Sequence, residues 1–256
     1  MEAWMSGMER WQGKVALITG ASSGIGEAVA RRLGRSGLKI AVCARRKDRL
    51  DALATELASA GVDVLAHATD LRDPASIDGL FQAIRAQWGG VDVLINNAGM
   101  GKKSSLMAGD TEAWREMLEV NVLALCVCTR EAITDMRARG DDGHVIHIGS
   151  MAGHRVPPGS GVYSASKYAV RSLTEGLRQE LREAKSRIRV TAVSPGFVET
   201  EFHGVYLGDE EKGRATYSHF KVLEANDVAA GVQYALEQPV HAQIHDILMR
   251  PTDQGA

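Results

Sequence analysis

Cysteine is scarce in this chain of 256 residues: there are 3, Cys43, Cys126 and Cys128. The number is odd, no metal-type C-x-x-C pair is present, and each lies in an apolar stretch, so they read as buried thiols of a reducing compartment. Proline is held to 6 residues against 27 glycines, and no Pro/Gly/Ser-rich linker, charge run or repeat divides the chain. Neither charge is in excess, since 30 basic and 32 acidic residues leave a net −2. That removes the global positive field that would attract nucleic acid or an anionic membrane. No apolar run approaches the roughly 18 to 20 residues that cross a bilayer. The start, residues 1–12, carries Trp4 and Trp11 but not the basic and apolar regions of a secretory signal, so the expected location is cytoplasmic. What remains is a globular composition, 45% apolar and 24% charged, long enough to bury a sizeable core.

Short apolar runs rich in β-branched residues recur at 15–19, 39–43, 62–66, 91–95, 144–148, 188–193 and 244–249. Between them lie segments of helical period at 25–36, 50–60, 74–88, 111–139, 163–184 and 225–237. Repeated β-α-β steps favour a parallel sheet, and fully apolar strands such as VALIT and VDVLI are what a sheet covered on both faces requires. The expectation is one α/β domain over residues 1–256, a Rossmann-like doubly wound sheet of about seven strands, with 1–12 as an N-terminal extension. Residues 200–223 hold charges and aromatics without a clean period and read as a lid over the substrate, because long loops at such sheets are usually functional.

The first strand runs into Gly20-Ala21-Ser22-Ser23-Gly24-Ile25-Gly26 and then a helix. Glycines at that junction permit a tight turn and close approach to a pyrophosphate, and the helix N-terminus adds positive potential. The second strand ends Cys43-Ala44-Arg45-Arg46-Lys47, where a carboxylate would bind the ribose diol of NAD. Arginine there suits a 2′-phosphate, so NADP(H) is the expected cofactor. In Tyr163-Ser164-Ala165-Ser166-Lys167 the phenol and the amine are four apart on one helical face. A neighbouring ammonium favours the phenolate, giving a pair able to exchange a proton near neutrality. Ser150 ends another strand, Asn96-Asn97-Ala98-Gly99 ends a third, and Asn121 interrupts an apolar helix. Polar residues therefore collect at the carboxyl ends of the strands, where open parallel sheets bind ligands.

Taken in order, TGASSGIG, Asp70, NNAG, Asn121, Ser150, YSASK and Pro195-Gly196 resemble the short-chain dehydrogenase/reductase family over nearly all residues from 13 to about 252. The resemblance implies that Tyr163 is the general acid in carbonyl reduction and that Ser150 holds the carbonyl oxygen. It further implies that Lys167 binds the nicotinamide ribose and lowers the tyrosine pKa, and that Asn121 anchors a water linking Lys167 to solvent. Cofactor contacts implied in the same way come from the glycine loop, Asp70 and Leu71 near the adenine, and Asn97, Ala98 and Gly99. Pro195, Gly196, Val198 and Thr200 complete them, with Arg45 clamping the 2′-phosphate and Arg46 assisting. Within the family the chain resembles two NADP-dependent groups, the animal farnesol and ketosteroid reductases and the bacterial 3-hydroxy acid and serine dehydrogenases. It lacks the extra residues that the first group often carries between serine and tyrosine. Its ending, His245-Asp246-Ile247-Leu248-Met249, also departs from the glycine-rich close of the fatty-acid ketoreductases, which speaks against an acyl-carrier substrate.

Two pocket chemistries are open. Met100, Met151, Val156, Phe202 and Tyr206 could line an apolar slot, whereas Lys102, Lys103, His154, Arg155 and His203 could pair with a substrate carboxylate. The rival to an enzyme is a non-catalytic NADP(H)-binding redox sensor, which has no need of the intact Ser150, Tyr163 and Lys167. No metal is implied: His144 and His147 would face opposite sides of a strand, and His241 and His245 lack an accompanying carboxylate motif. A homodimer or homotetramer built through the helices at 111–139 and 163–184 follows from the resemblance.

Overall fold

The computed structural model describes residues 7–255. Seven parallel strands form one sheet in the order β3-β2-β1-β4-β5-β6-β7. They are β1 (Val15–Thr19), β2 (Lys39–Ala44), β3 (Val64–Ala68), β4 (Val93–Asn96), β5 (His144–Ile148), β6 (Arg189–Pro195) and β7 (Asp246–Met249). The order reverses between β1 and β4, as in a doubly wound Rossmann-like sheet. Alternate residues of each strand serve opposite faces. Ala16 and Ile18 of β1 join one apolar layer with Val29 and Leu33 of α1 (Gly24–Arg35), Leu53 of α2 (Lys47–Ser59) and Val232 of α9 (Ala225–Glu237). Val15 and Leu17 join the other, against Phe81 of α3 (Pro74–Trp88), Met136 of α5 (Ala124–Ala138) and Leu181 of α6 (Gly161–Glu183).

The expected strands are all present, shifted at their ends by up to two residues. The N–H of Val91 donates to Asp135 Oδ2 at 3.1 Å, so pairing in β4 begins only at Val93. Thr191 Oγ1 donates to the carbonyl of Ile244 at 2.6 Å, and β7 starts two residues later. The helical segment expected at 111–139 is interrupted: α4 (Thr111–Leu118) passes into a π-helical turn, Glu119–Leu123, before α5 resumes. Asn121 sits within that turn, a distortion that often marks functional sites and leaves no trace in hydrophobic period. Two short helices, α7 (Phe202–Leu207) and α8 (Glu210–Thr216), lie in the segment where no period was found.

The extension assigned to residues 1–12 divides. Trp4 lies outside the described residues, but Met8–Trp11 forms a 3-10 turn that belongs to the core. The indole of Trp11 is buried and donates from Nε1 to the carbonyl of Leu236 at 2.9 Å, capping the end of α9. Buried Arg189 donates to the carbonyls of Gln238 and Ala242 just beyond the same helix end, at 3.0 and 3.1 Å. Its positive charge there suits the helix dipole. The cysteines also divide: Cys43 and Cys128 are buried, Cys126 only partly, and all three are free. Among the described residues no helix is long and apolar enough to cross a membrane.

Removing the indole leaves a void and an unpaired carbonyl at the end of α9. Trp11→Ala is expected to lower unfolding stability by about 3–5 kcal/mol, read as a shift of the urea midpoint at constant slope; a shift worth under about 1 kcal/mol would show that this turn is not part of the core.

Candidate active site

Parallel register brings four strand ends level, with Ile18 opposite Ile95, Ile95 opposite Ile146 and Ile148 opposite Val193. The residues that follow those ends line one cavity of about 850 Å³. It runs from Arg45, Arg46, Asp70 and Leu71 at one end, past Gly20, Ser22, Ser23, Gly24, Ile25, Asn97, Ala98 and Gly99, to Ser150, Tyr163 and Lys167 at the other. Pro195, Gly196, Val198 and Thr200 line its far wall. Of the catalytic and cofactor residues implied by the sequence, those just named line it, whereas Gly26 and Asn121 do not.

The glycine turn is shaped by packing. Gly20 and Gly24 have φ of +67° and +59°, a left-handed backbone that glycine adopts without strain. A Cβ on Gly20 would come within 2.8 Å of the Ala98 Cα, and one on Gly26 within 2.5 Å of Asn97 Nδ2. The closeness has a purpose, because Asn97 Nδ2 donates to the carbonyls of Thr19 and Gly20 at 2.8 and 3.2 Å. Thr19 Oγ1 in turn accepts from the N–H groups of Asn97 and Ala98 at 3.1 and 3.0 Å. Asn97 therefore stitches the turn after β1 to the end of β4.

Ser150 begins a short 3-10 turn, its hydroxyl accepting from the Ala152 N–H at 3.1 Å, and it is near enough to the Tyr163 hydroxyl to bear on its pKa. The phenol is covered by Phe202 and Tyr206, with ring centroids 5.4 and 6.1 Å away. Burial pushes its pKa up to about 12, with Ser150 pulling the other way. The sequence leads one to expect Lys167 to lower that pKa; in the free chain, burial outweighs any such effect. Lys167 is itself buried, its pKa brought down to about 8 by desolvation, and its Nζ donates to the Ile148 carbonyl at 2.9 Å. Asn121 Oδ1 accepts from the Met100 N–H and its Nδ2 donates to the Met100 carbonyl, both at 2.8 Å, with a third bond from Nδ2 to Ser166 Oγ at 3.0 Å. Its side chain is thus spent on fixing the loop after Gly99 and the first turn of α6.

Ser166 was not singled out, although it stands inside YSASK; it donates to the Tyr163 carbonyl at 2.7 Å and joins Asn121 to the tyrosine's own turn. Asp70 is engaged by Arg72 through both carboxylate oxygens at 2.6 to 3.2 Å, which brings its pKa down to about 2. Met100, Met151, Phe202 and Tyr206 line the cavity as the apolar reading requires, and so do Arg155 and His203. Val156, Lys102, Lys103 and His154 do not. Lys102 is paired with Glu116, and His154 faces Asp246 at 3.2 Å.

Behind Ser150 lies a closed polar chain. Thr174 Oγ1 donates to the Val170 carbonyl at 2.7 Å and so accepts from His147 Nδ1 at 2.9 Å. His147 Nε2 then accepts from Thr129 Oγ1 at 3.3 Å, which accepts from Asn96 Nδ2 at 2.9 Å. Only the neutral imidazole satisfies this order.

A glycine turn at the switch point of a parallel doubly wound sheet, opening on the carboxyl ends of the strands, is where such sheets bind nucleotides. A family model described as short chain dehydrogenase matches residues 14–211, and the chain belongs to the short-chain dehydrogenase/reductase family, oxidoreductases acting on alcohols or carbonyls. It is 53% identical over 253 residues to cattle (Bos taurus) dehydrogenase/reductase SDR family member 11, covering 96% of this chain and 99% of that protein. Farnesol dehydrogenase of Aedes aegypti is 40% identical, with 96% and 99% covered. A serine dehydrogenase solved in a closed form complexed with NADP+ superposes with a TM-score of 0.89 at 34% identity, covering 94% of this chain and 96% of that one.

Burial holds His147 near 3 against an ordinary 6.5, and buried His144 is likewise lowered. The folded pKa lies below the unfolded one, so this contribution is complete above 6.5 and is lost as pH falls toward 3. The urea midpoint is expected to fall steadily over that window, and His147→Asn to flatten the decline. An unchanged slope in that variant would remove His147 from the acid sensitivity.

Proposed function

We propose that the chain is an NADP(H)-dependent carbonyl reductase or alcohol dehydrogenase with Tyr163 as general acid/base. The observation that carries the reading is the single cavity joining the glycine turn and the arginines after β2 to the Ser150, Tyr163 and Lys167 cluster. The residues fit the dinucleotide. Ser23 caps α1 without a side-chain hydrogen bond, leaving helix N–H groups for a pyrophosphate, and Arg45 lines the cavity without a hydrogen bond or ion pair among the described residues. Arg45 would hold the 2′-phosphate, Asp70 and Leu71 would flank the adenine, and Asn97, Ala98, Gly99, Pro195, Gly196, Val198 and Thr200 the remainder. The NADP+ in the similar serine dehydrogenase supports this choice.

When bound, the nicotinamide supplies or accepts hydride at the carbonyl carbon. The protein's task is the oxygen. Ser150 and Tyr163 lie beside each other on the cavity wall and can each turn an O–H toward one carbonyl oxygen, and Tyr163 gives up its proton as negative charge develops there. Lys167 supplies the cation that holds the resulting phenolate, and a pKa near 8 lets it exchange protons near neutrality. Residues 200–223, with Phe202 and Tyr206 over the phenol, form the lid that excludes water.

The lining favours an apolar substrate. Phe197, Phe202, Tyr206 and Phe220 face the cavity with Met100 and Met151, whereas the charge of Lys102 is spent on Glu116. We place the enzyme in the cytoplasm as a homodimer or homotetramer. Leu118, Leu123 and Tyr168, exposed on the stretch from α4 to α6, support the assembly, and a sole 27.6 kDa species in sedimentation would refute it.

Initial rates of NADPH oxidation on farnesal should exceed those on a charged 3-oxo acid, and NADPH should outrun NADH. Preference for the acid would move the specificity to Arg155 and His203, and parity of the cofactors would refute the role of Arg45. Tyr163→Phe should lose roughly 10²- to 10⁴-fold in kcat with NADPH binding kept. Inactivity of the unaltered chain on both carbonyls would favour the redox sensor instead.

A further inference from the structure

The segment between β6 and α9 meets the start of α2 through Glu201, a residue to which the sequence assigns no role. Arg46 Nη1 donates to Glu201 Oε2 at 2.8 Å and Arg49 Nη1 to Oε1 at 2.5 Å. From its other side the Arg46 guanidinium donates to Ser22 Oγ at 3.0 and 3.1 Å and to Ser23 Oγ at 2.7 Å. A hydroxyl that accepts keeps its own hydrogen to donate, so Ser22 and Ser23 present two free O–H donors beside the cation. Both serines, Arg45, Arg46 and Glu201 line the same cavity. This is a cradle for an anion, and the anion it holds in the free chain is the protein's own carboxylate.

We infer that Glu201 is a built-in competitor for the 2′-phosphate position and sets how strongly the chain discriminates NADPH from NADH. The inference rests on the NADP(H) reading above. A phosphate monoester carries nearly two charges and three acceptor oxygens, more than a carboxylate can offer Arg46, and it also reaches the unpaired Arg45. It therefore displaces Glu201. A ribose 2′-hydroxyl carries no charge and leaves the ion pairs in place. The competition costs NADPH affinity and leaves NADH nearly untouched. Glu201 also stands between Thr200, on the cavity wall, and Phe202, whose ring packs on Tyr163, so occupancy of the phosphate position bears on the cover of the phenol.

Fluorescence titration of NADPH and NADH against Glu201→Gln tests the inference. With the carboxylate removed, the Kd for NADPH should fall on the order of two- to fivefold, the upper range of half-exposed ion pairs, with that for NADH unchanged. Glu201→Asp, which keeps the charge, should stay near the unaltered ratio. Glu27→Gln, which removes a carboxylate paired with Arg31 elsewhere on α1, should leave the ratio unchanged. An unchanged ratio in Glu201→Gln, equal weakening of both cofactors, or weakening of NADPH alone would overturn the competitor role while the NADP(H) reading stands. Failure of the unaltered chain to bind NADPH would overturn both.

Discussion

Parallel register is the constraint on which everything else in this protein depends. Because Ile18, Ile95 and Ile146 lie side by side across three strands, the chain leaves β1, β4 and β5 at one level, and the residues that follow have nowhere to go but one edge. The loop after each strand is short on room there. Only glycine fits where Gly20 passes Ala98 and Gly26 passes Asn97, and the amide of Asn97 turns that proximity into hydrogen bonds. The same edge holds Ser150 and receives the first turns of α6. A shift of one residue in any of these pairings would reverse the faces of a strand and scatter the cluster.

The electrostatics follow from that crowding. Lys167 is buried and Tyr163 half-buried, and desolvation moves their pKa values apart, the phenol up to about 12 and the ammonium down to about 8, so the neutral form of each is favoured relative to water. Ser150 offsets part of the effect on the phenol. Beneath them the neutral ring of His147 joins Asn96 on β4 to Thr174 on α6, so the strands that carry the site and the helix that carries the phenol share one hydrogen-bonded support. A buried polar chain of this kind is stabilising only when every member is satisfied, and here the order of donors closes.

The segment after β6 and the arginines after β2 are joined at Glu201, so the two ends of the cavity are not independent. One end is built of charge and hydroxyl groups, the other of methionine and aromatic rings, and the few residues from Thr200 to Tyr206 touch both. The ion pairs of Arg46 and Arg49 and the rings packed on Tyr163 thus share one short piece of chain.

The sheet, the turn after β1 and the residues of the reacting cluster were legible in the sequence, because strand period, glycine spacing and an i, i+4 phenol and amine are local properties. Family order then gave those residues roles that spacing alone does not contain, such as those assigned to Asn121 and Asp70. Other features had no local signal. The π-helical turn at Glu119–Leu123, the burial of Trp11 against Leu236 and the two short helices between β6 and α9 are set by partners more than a hundred residues away or by packing that no periodicity encodes. Likewise the spending of Lys102 on Glu116 and of Arg46 on Glu201 depends on which side chains meet in space. The sequence by itself determined which chemical groups stand at the strand ends, since that is written in pattern and residue type. Only the tertiary structure decided which of them remain free to meet a ligand, since charge pairing and desolvation exist only once distant segments are brought together.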